Sequence, residues 1–460
     1  WQVLATVRTC REPIAAALTS DGKQLFVACH LPDQPLTAEH VAAKVCVIDT
    51  AGATVERSIT LPNGSTGVRG IALSADGRYA FVTHLLARYT LHTTQLEQGW
   101  MNTNALTILD VPSQRVLATV LLDDVDDGAA NPWAVGCTPD SRYVCVTHAG
   151  THELSVILLP ELLDKLHHEV GEPSNQLSYL LGLRRRVPLP GKGPRALAIS
   201  GGDVWIGEHF SGTLSKVRLD GYSEAASVAL DAASPMTEAR RGEMVFNDAR
   251  FCFQRWQSCA SCHPDGRADG LNWDLLNDGL GNPKNAKSLV YSYRSAPVMW
   301  TAVRPTAEYA IRSGFRHILF SEPQESEAVA IEAYLRSLRP VPGPGDTEAV
   351  NRGRKLFFRA DVGCAKCHPP PLYTDNRKHD VGTHGAFDFT SDAAGKRVPQ
   401  TEFKTPTLVE VWRTAPYLHD GRFATLEETI STGNPRDLRG RTSHLTREQL
   451  RDLAAFVSSL

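Results

Sequence analysis

The chain has 460 residues, of which 42% are hydrophobic, and its 48 basic side chains against 51 acidic ones leave a net charge of -3. That length exceeds one ordinary domain, so two or three are expected, and a near-neutral charge without a Lys/Arg run argues against a nucleic-acid partner. No apolar stretch reaches the roughly 18 residues that a membrane span needs.

Residues 1–232 read as all-β, with short runs of Val, Ile, Thr, Phe and Tyr between Gly, Asp and Pro turns. The stretch 13–22 is echoed at 68–77, at 132–141 and from 194 to 202, with Asp21, Asp76 and Asp140 in matching turns. A second strand follows each turn, at 25–29, 79–83, 143–147 and 204–207. Third strands are read at 45–49 and 106–110, and a fourth at 116–120. Four strands per repeat is the blade of a β-propeller. Residues 2–7 look like the outer strand of a further blade. The long insertion 85–104, with His92, Trp100 and Met101, is expected to pack on the C-terminal half.

From residue 233 the pattern turns helical and duplicated. Arg241-Gly242 with Phe246 is repeated by Arg352-Gly353 with Phe357, Ala296-Pro297 by Ala415-Pro416, and each half ends in an amphipathic helix, at 326–338 and 446–460. The Pro- and Gly-rich run 339–345 forbids a helix and divides the halves. The domains are therefore placed at 1–232, 233–341 and 342–460. The expected fold class is multidomain, an N-terminal all-β propeller followed by all-α tandem cytochrome c domains.

Each half carries one Cys-x-x-Cys-His, at Cys259, Cys262 and His263 and at Cys364, Cys367 and His368. Two thiols at this spacing reach the two vinyl groups on one porphyrin edge, and the next residue places an imidazole under the iron. A reducible dithiol needs no His at that position, and a zinc ribbon needs a second cysteine pair close by. Two covalently bound haem c groups are expected, with His263 and His368 as proximal ligands. Haem c is attached outside the bacterial cytoplasm, so a periplasmic or otherwise exported protein is expected, its signal peptide removed or lying before Trp1. Six cysteines remain: Cys10, Cys29, Cys46, Cys137, Cys145 and Cys252. Cys137 and Cys145 flank a turn, Cys29 and Cys46 lie on adjacent strands, and the alternative is that all six are small buried hydrophobes.

The N-terminal repeats resemble the YVTN family of propeller repeats. Where those repeats end their second strand in Asn, this chain has His30, His84, His148 and His209. Two readings stay open: a ring of imidazoles about the propeller axis that holds a metal, or four rings that bond neighbouring loop backbone.

Residues 235–460 resemble the bacterial dihaem cytochrome c peroxidase family, which includes the MauG-type enzymes. The motifs are Arg241-Gly242, Cys364-Ala365-Lys366-Cys367-His368, the runs 372–375 and 403–408, and Ala415-Pro416-Tyr417-Leu418-His419-Asp420-Gly421-Arg422. The resemblance implies one haem that relays an electron, another that meets peroxide, and a tryptophan between them. Matching the halves sets Trp300 against His419 and makes Trp300 the candidate bridge. It also implies a small redox protein as electron donor or acceptor, and allows a calcium ion between the halves.

The chain departs from that pattern at the distal ligands. No His follows His263 until His317, and no Met follows Met299. Met299 is the candidate distal ligand of the first iron, and His444, with His379 and Tyr417, of the second. Peroxide cleavage needs an acid/base group, for which Asp265 and Arg267, then Asp269 and Glu308, are the candidates. The expected function is an exported dihaem c-type oxidoreductase, peroxidase-like, that reduces hydrogen peroxide or uses it to oxidise a substrate. The alternative is a non-catalytic dihaem electron-transfer protein whose propeller binds a partner or metal.

Overall fold

Alternating apolar and polar residues around tight turns, three of them Asp-centred, build four antiparallel four-stranded meanders in the computed structural model, which describes residues 2–230, 235–275, 281–343, 345 and 347–460. The first sheet holds β1 to β4, Pro13–Leu18, Gln24–Cys29, Lys44–Asp49 and Thr54–Thr60. The second holds β5 to β8, Ser65–Leu73, Tyr79–Ala87, Asn102–Asp110 and Arg115–Leu121. The third holds β9 to β12, Pro132–Cys137, Tyr143–His148, Glu153–Leu158 and Arg184–Pro188. The fourth holds β13 to β16, Pro194–Ser200, Asp203–Glu208, Thr213–Arg218 and Ser223–Ala229.

The sequence repeat has a local cause. The hydroxyls of Thr19, Ser74 and Thr138 donate to the carboxylates of Asp21, Asp76 and Asp140, which also accept the backbone N–H of Lys23, Arg78 and Arg142. Each carboxylate thereby closes the turn between the first two strands of its sheet.

The sheets stack in a propeller-like row. Phe26, Val45 and Val47 of the first meet Ile71, Ala80 and Val82 of the second. Phe81 and Ile108 of the second meet Val135 and Val146 of the third, and Cys145 and Val156 of the third meet Val204 and Ile206 of the fourth. The first strands β1, β5, β9 and β13 adjoin in that order, and among the described residues no packing of that extent joins the fourth sheet to the first.

Three expectations for this half are corrected. Residues 2–9 form no strand: Val3 and Leu4 are exposed, and Val7 packs on the face of the first sheet beside Cys29 and Cys46 instead of joining a ladder. The half is not all-β: the helix α1, Leu159–His168, stands between β11 and β12 and buries Leu159 and Leu162 against the core of the second and third sheets. The insertion is shorter than read, since β6 and β7 stay paired as far as Ala87 and Asn102.

The C-terminal halves follow one plan. Helices α2 (Glu238–Asn247), α3 (Cys259–Cys262), α4 (Ala307–His317) and α5 (Glu325–Ser337) belong to the first half. Helices α6 (Glu348–Phe357), α7 (Leu426–Ile430) and α8 (Arg447–Ser458) belong to the second. The crossings of α2 with α5 and of α6 with α8 are too close for a side chain. A Cβ on Gly242 would lie 1.8 Å from the Ala330 carbonyl oxygen, and one on Gly353 would lie 1.9 Å from that of Asp452. The all-α expectation is overturned here. Residues 272–273 pair with 284–285, 378–380 with 402–404, and 389–391 with 397–399, all as antiparallel ladders. These segments carry Gly, Pro and Asp between short apolar runs, without the period that a helix face needs.

The N-terminal sheets and the first C-terminal half share one core. Leu96 and Met101, from the connection between β6 and β7, pack with Phe246, Trp256, Leu271 and Phe315. A disulfide joins Cys10 to Cys29, whereas Cys46, Cys137, Cys145 and Cys252 are free. Cys137 and Cys145 stay apart because the register sets Cys145 opposite Gly136 and Cys137 opposite Val144, and neighbouring strand positions face opposite sides. Among the described residues no helix is long and apolar enough to cross a membrane.

Candidate functional site

The first Cys-x-x-Cys-His is held by the N-terminal sheets as much as by its own helix. Ser258 and Ser261 form a capping box around α3. Asn131, in the loop before β9, accepts from the Ser261 hydroxyl at 2.9 Å and donates to the Ser258 hydroxyl at 2.8 Å. Asn102 of β7 donates to Gln257 Oε1 at 2.8 Å and approaches Cys262 Sγ at 3.4 Å.

Both histidines of the two motifs are wired alike. His263 Nδ1 lies 3.0 Å from the Arg267 carbonyl and His368 Nδ1 lies 2.7 Å from the Tyr373 carbonyl. A carbonyl only accepts, so each Nδ1 carries the proton and each Nε2 keeps its lone pair. Burial lowers both imidazole pKa values, which favours this neutral form. Burial also pushes the Cys259 thiol up to about 12 and the Cys364 thiol up to about 11. Such thiols are poor nucleophiles, which argues against a reactive dithiol.

Each motif opens into a mainly apolar cavity of about 260 Å³. The first is lined by Cys259, Cys262, His263, Trp273, Met299 and His317 among others. The second is lined by Cys364, Cys367, His368, His379, Tyr417 and His419 among others. Asn285, Lys287, Trp300 and Lys404 line both, so the cavities have a common wall. In that wall Trp300 Nε1 donates to the Asn285 carbonyl at 2.7 Å, and the Lys287 ammonium stands 4.6 Å from the indole centroid. His419 lies edge-on to Trp300 with ring centroids 6.5 Å apart, stacks on Phe403 at 3.7 Å, and its Nε2 meets Asp388 at 2.9 Å. Burial brings the Lys287 ammonium down to about 7 and that of Lys404 to about 8. Both ammonium groups therefore sit in a buried wall that disfavours their charge, where Lys404 Nζ donates to the Ser295 carbonyl at 2.7 Å.

The other candidates divide. Met299 belongs to the first cavity, and His379 and Tyr417 to the second. His444 does not line the second cavity: it is 44% exposed and its Nε2 pairs with Asp361 at 3.3 Å. Asp265 pairs with Arg69 of β5 at 3.3 Å and Arg267 with Glu410 at 2.8 Å, outside both linings. The turn after His263 swings these side chains onto the second sheet and the second half, which corrects their placement as acid/base groups beside the first motif. Asp269 is buried and accepts from Trp273 Nε1 at 2.7 Å, and Glu308 pairs with Arg336 on the surface.

The histidine ring does not converge. His30 donates to the Val68 carbonyl, and His84 to that of Leu85 while accepting from Thr107. His148 bonds Ala129 and Ser155, and His209 accepts from Arg240. Among the described residues these four form no cluster of potential ligand atoms. The metal reading is corrected: backbone and hydroxyls take both ring nitrogens of His84 and His148, a guanidinium meets His209, and His30 bonds backbone through Nδ1 alone. Sequence reasoning passed over His317 and the lysine pair Lys287 and Lys404. His317 sits in the last turn of α4, and the 3.6-residue period of that helix was its one signal.

No protein-family model matches the chain. Hydrazine synthase subunit gamma of Kuenenia stuttgartiensis is 31% identical over 271 residues, covering 48% of this chain and 77% of that protein. The methylamine utilization protein MauG of Methylorubrum extorquens is 30% identical, over 52% of this chain and 83% of that protein. Cytochrome c551 peroxidase of Nitrosomonas europaea is 24% identical, over 48% of this chain and 79% of that protein.

Proposed function

The chain belongs to the family that contains MauG and the gamma subunit of hydrazine synthase, and on that premise we propose that it is an exported haem c oxidoreductase of peroxidase-like kind that carries two haems. The supporting observation is the pair of cavities, each with its own Cys-x-x-Cys-His and both walled by Trp300. Cys259 and Cys262 would hold one haem by thioethers and Cys364 and Cys367 the other, with His263 and His368 offering Nε2 to iron. Each bound haem supplies a one-electron redox centre and, where a coordination position is open, a place for peroxide.

The protein's own groups do the rest. The carbonyls of Arg267 and Tyr373 orient the two imidazoles. Trp300, held by Asn285, gives the shared wall one aromatic ring through which the cavities communicate. The apolar linings exclude water, and Lys287 and Lys404, which line both cavities, would offer their ammonium groups to carboxylates of a bound cofactor. Met299 and His317 are the two side chains besides His263 that bring a sulfur or imidazole donor to the first cavity among its described non-cysteine lining residues.

A calcium ion at the junction is part of this reading. Asn285 Oδ1 is buried without a partner while its Nδ2 donates to the Pro416 carbonyl at 2.5 Å. With the amide turned about, Oδ1 and the Pro416 carbonyl would offer oxygen ligands of the kind a hard cation takes. A small redox protein is the proposed electron partner.

The test is electron paramagnetic resonance of the intact oxidised protein before and after hydrogen peroxide, with covalent haem counted by mass. Two haems, one of them high-spin and consumed by peroxide, are expected. Two low-spin haems inert to peroxide would leave an electron carrier instead, and Met299→Ala and His317→Ala would then identify the group that fills the first iron.

A further inference from the structure

Three sulfur atoms meet on the outer face of the first sheet, away from both cavities. The pairing of Val27 with Cys46 across β2 and β3 puts Cys29 and Cys46 on one face. The arm before β1 lays Cys10 over them. Cys10 is bonded to Cys29, yet Cys46 Sγ also approaches Cys10 Sγ at 3.1 Å. All three sulfurs lie within 4.8 Å of one another. Val7, Leu25, Val27 and Ile48 surround them, and the hydroxyl of Ser58 is 3.7 Å from Cys46. Cys29 and Cys46 are buried whereas Cys10 is partly open, so an external thiol reaches Cys10 before it reaches either partner.

We propose that Cys46 is the resolving thiol of an internal disulfide exchange, in which Cys10 alternates between Cys29 and Cys46. The Cys46 thiolate attacks Cys10 Sγ. The Cys10–Cys46 bond forms as the Cys10–Cys29 bond breaks, and Cys29 leaves as a thiolate that takes up the proton Cys46 released. No outside oxidant or reductant enters, because one disulfide and one thiol stand on each side.

The exchange matters because Cys10 anchors the two residues next to it in the chain. Arg11 donates to the carbonyls of Arg413 and Ala415, each at 2.6 Å, and Glu12 pairs with Arg413 at 3.0 Å. Those residues lead into the 415–422 run, whose Tyr417 and His419 line the second cavity. Either disulfide keeps this arm covalently tied to the first sheet, so the third cysteine preserves the anchor of a loop that shapes a cofactor cavity.

The test uses the full-length holoprotein isolated without reductant, held at about pH 6 or about pH 8.5, alkylated, digested and mapped by mass spectrometry, the thiolate fraction rising about tenfold per pH unit below the thiol pKa. Both the Cys10–Cys29 and the Cys10–Cys46 peptides are expected in the wild type. Their interconversion should be about 100-fold faster or more at the higher pH. Cys46→Ser should retain Cys10–Cys29 alone, which assigns the second peptide. A wild type that yields a single linkage at both pH values overturns the proposal, whichever linkage it is.

Discussion

His263 and His368 each give their Nδ1 proton to a carbonyl of their own loop, so each turns an Nε2 lone pair toward its cavity. The geometry is local, five or fewer residues apart, and holds whether or not the rest of the cavity is filled. In the proposed two-haem reading, Trp300, which lines both cavities, is the residue whose loss should separate the two centres. Trp300→Ala should leave covalent haem content unchanged and slow electron exchange between the centres by about tenfold or more, measured by rapid mixing of half-reduced protein. Asp248 supplies a pH test. Burial alone would raise its carboxyl, but the His152 ring 3.2 Å away and hydrogen bonds from Arg250 outweigh that and hold it at about 2. Its folded pKa is below the unfolded one, so its contribution is complete above about pH 4 and is lost as pH falls toward 2. Asp248→Asn should therefore cost about 2–3 kcal/mol at neutral pH, a gap that closes between about pH 4 and pH 2 in denaturant titrations.

At the scale of elements, the second C-terminal half repeats the first down to backbone detail. Tyr291 and Glu410 both have φ 59° ahead of matching one-turn helices, Ser292–Arg294 and Val411–Arg413. Met299 and Leu418 share φ values of 76° and 74°. Trp300 and His419 thus occupy equivalent positions on either side of the junction. Only the side chain differs, so one half contributes the indole of the shared wall and the other an imidazole stacked on Phe403. The glycines at the helix crossings are equally paired. Gly242→Ala or Gly353→Ala must drive two helices apart, and each should cost about 3 kcal/mol or more, or abolish folding. Gly202→Ala, where a Cβ meets nothing within 4 Å, should change the unfolding free energy by no more than about 0.5 kcal/mol.

At the scale of the molecule, the sheet row and the haem-motif halves form one body. Every sheet contributes: Arg11 and Glu12 beside the first, Arg69 of the second to Asp265, His152 of the third to Asp248, and His209 after the fourth to Arg240. Buried Leu96 carries the second sheet into the core of the first haem-motif half. Leu96→Ala should cost about 2–5 kcal/mol. In the apoprotein the N-terminal and C-terminal parts should still unfold in one transition by circular dichroism and tryptophan fluorescence. Two separated transitions would show that the shared core does not couple them.

Much of this was legible from order and spacing. The four repeats, their Asp turns, both Cys-x-x-Cys-His motifs and the duplication are local patterns, set by strand alternation, turn hydrogen bonds and the reach of two thiols along one helical turn. Position along the chain could not place Asp265, Arg267 or His444, because a one-residue change in a turn carries a side chain from a cavity wall to an ion pair on the far side. It could not join Cys10 to Cys29 in preference to Cys46, since sheet register sets all three sulfurs together. Nor could it show that the two C-terminal halves lack an all-α build, that His317 lines the first cavity, or that Lys287, Lys404 and Trp300 share one wall. The sequence by itself determined the repeated units and the chemistry each motif can carry. Only the tertiary structure decided which units touch, because burial and contact depend on residues hundreds of positions apart that no local pattern relates.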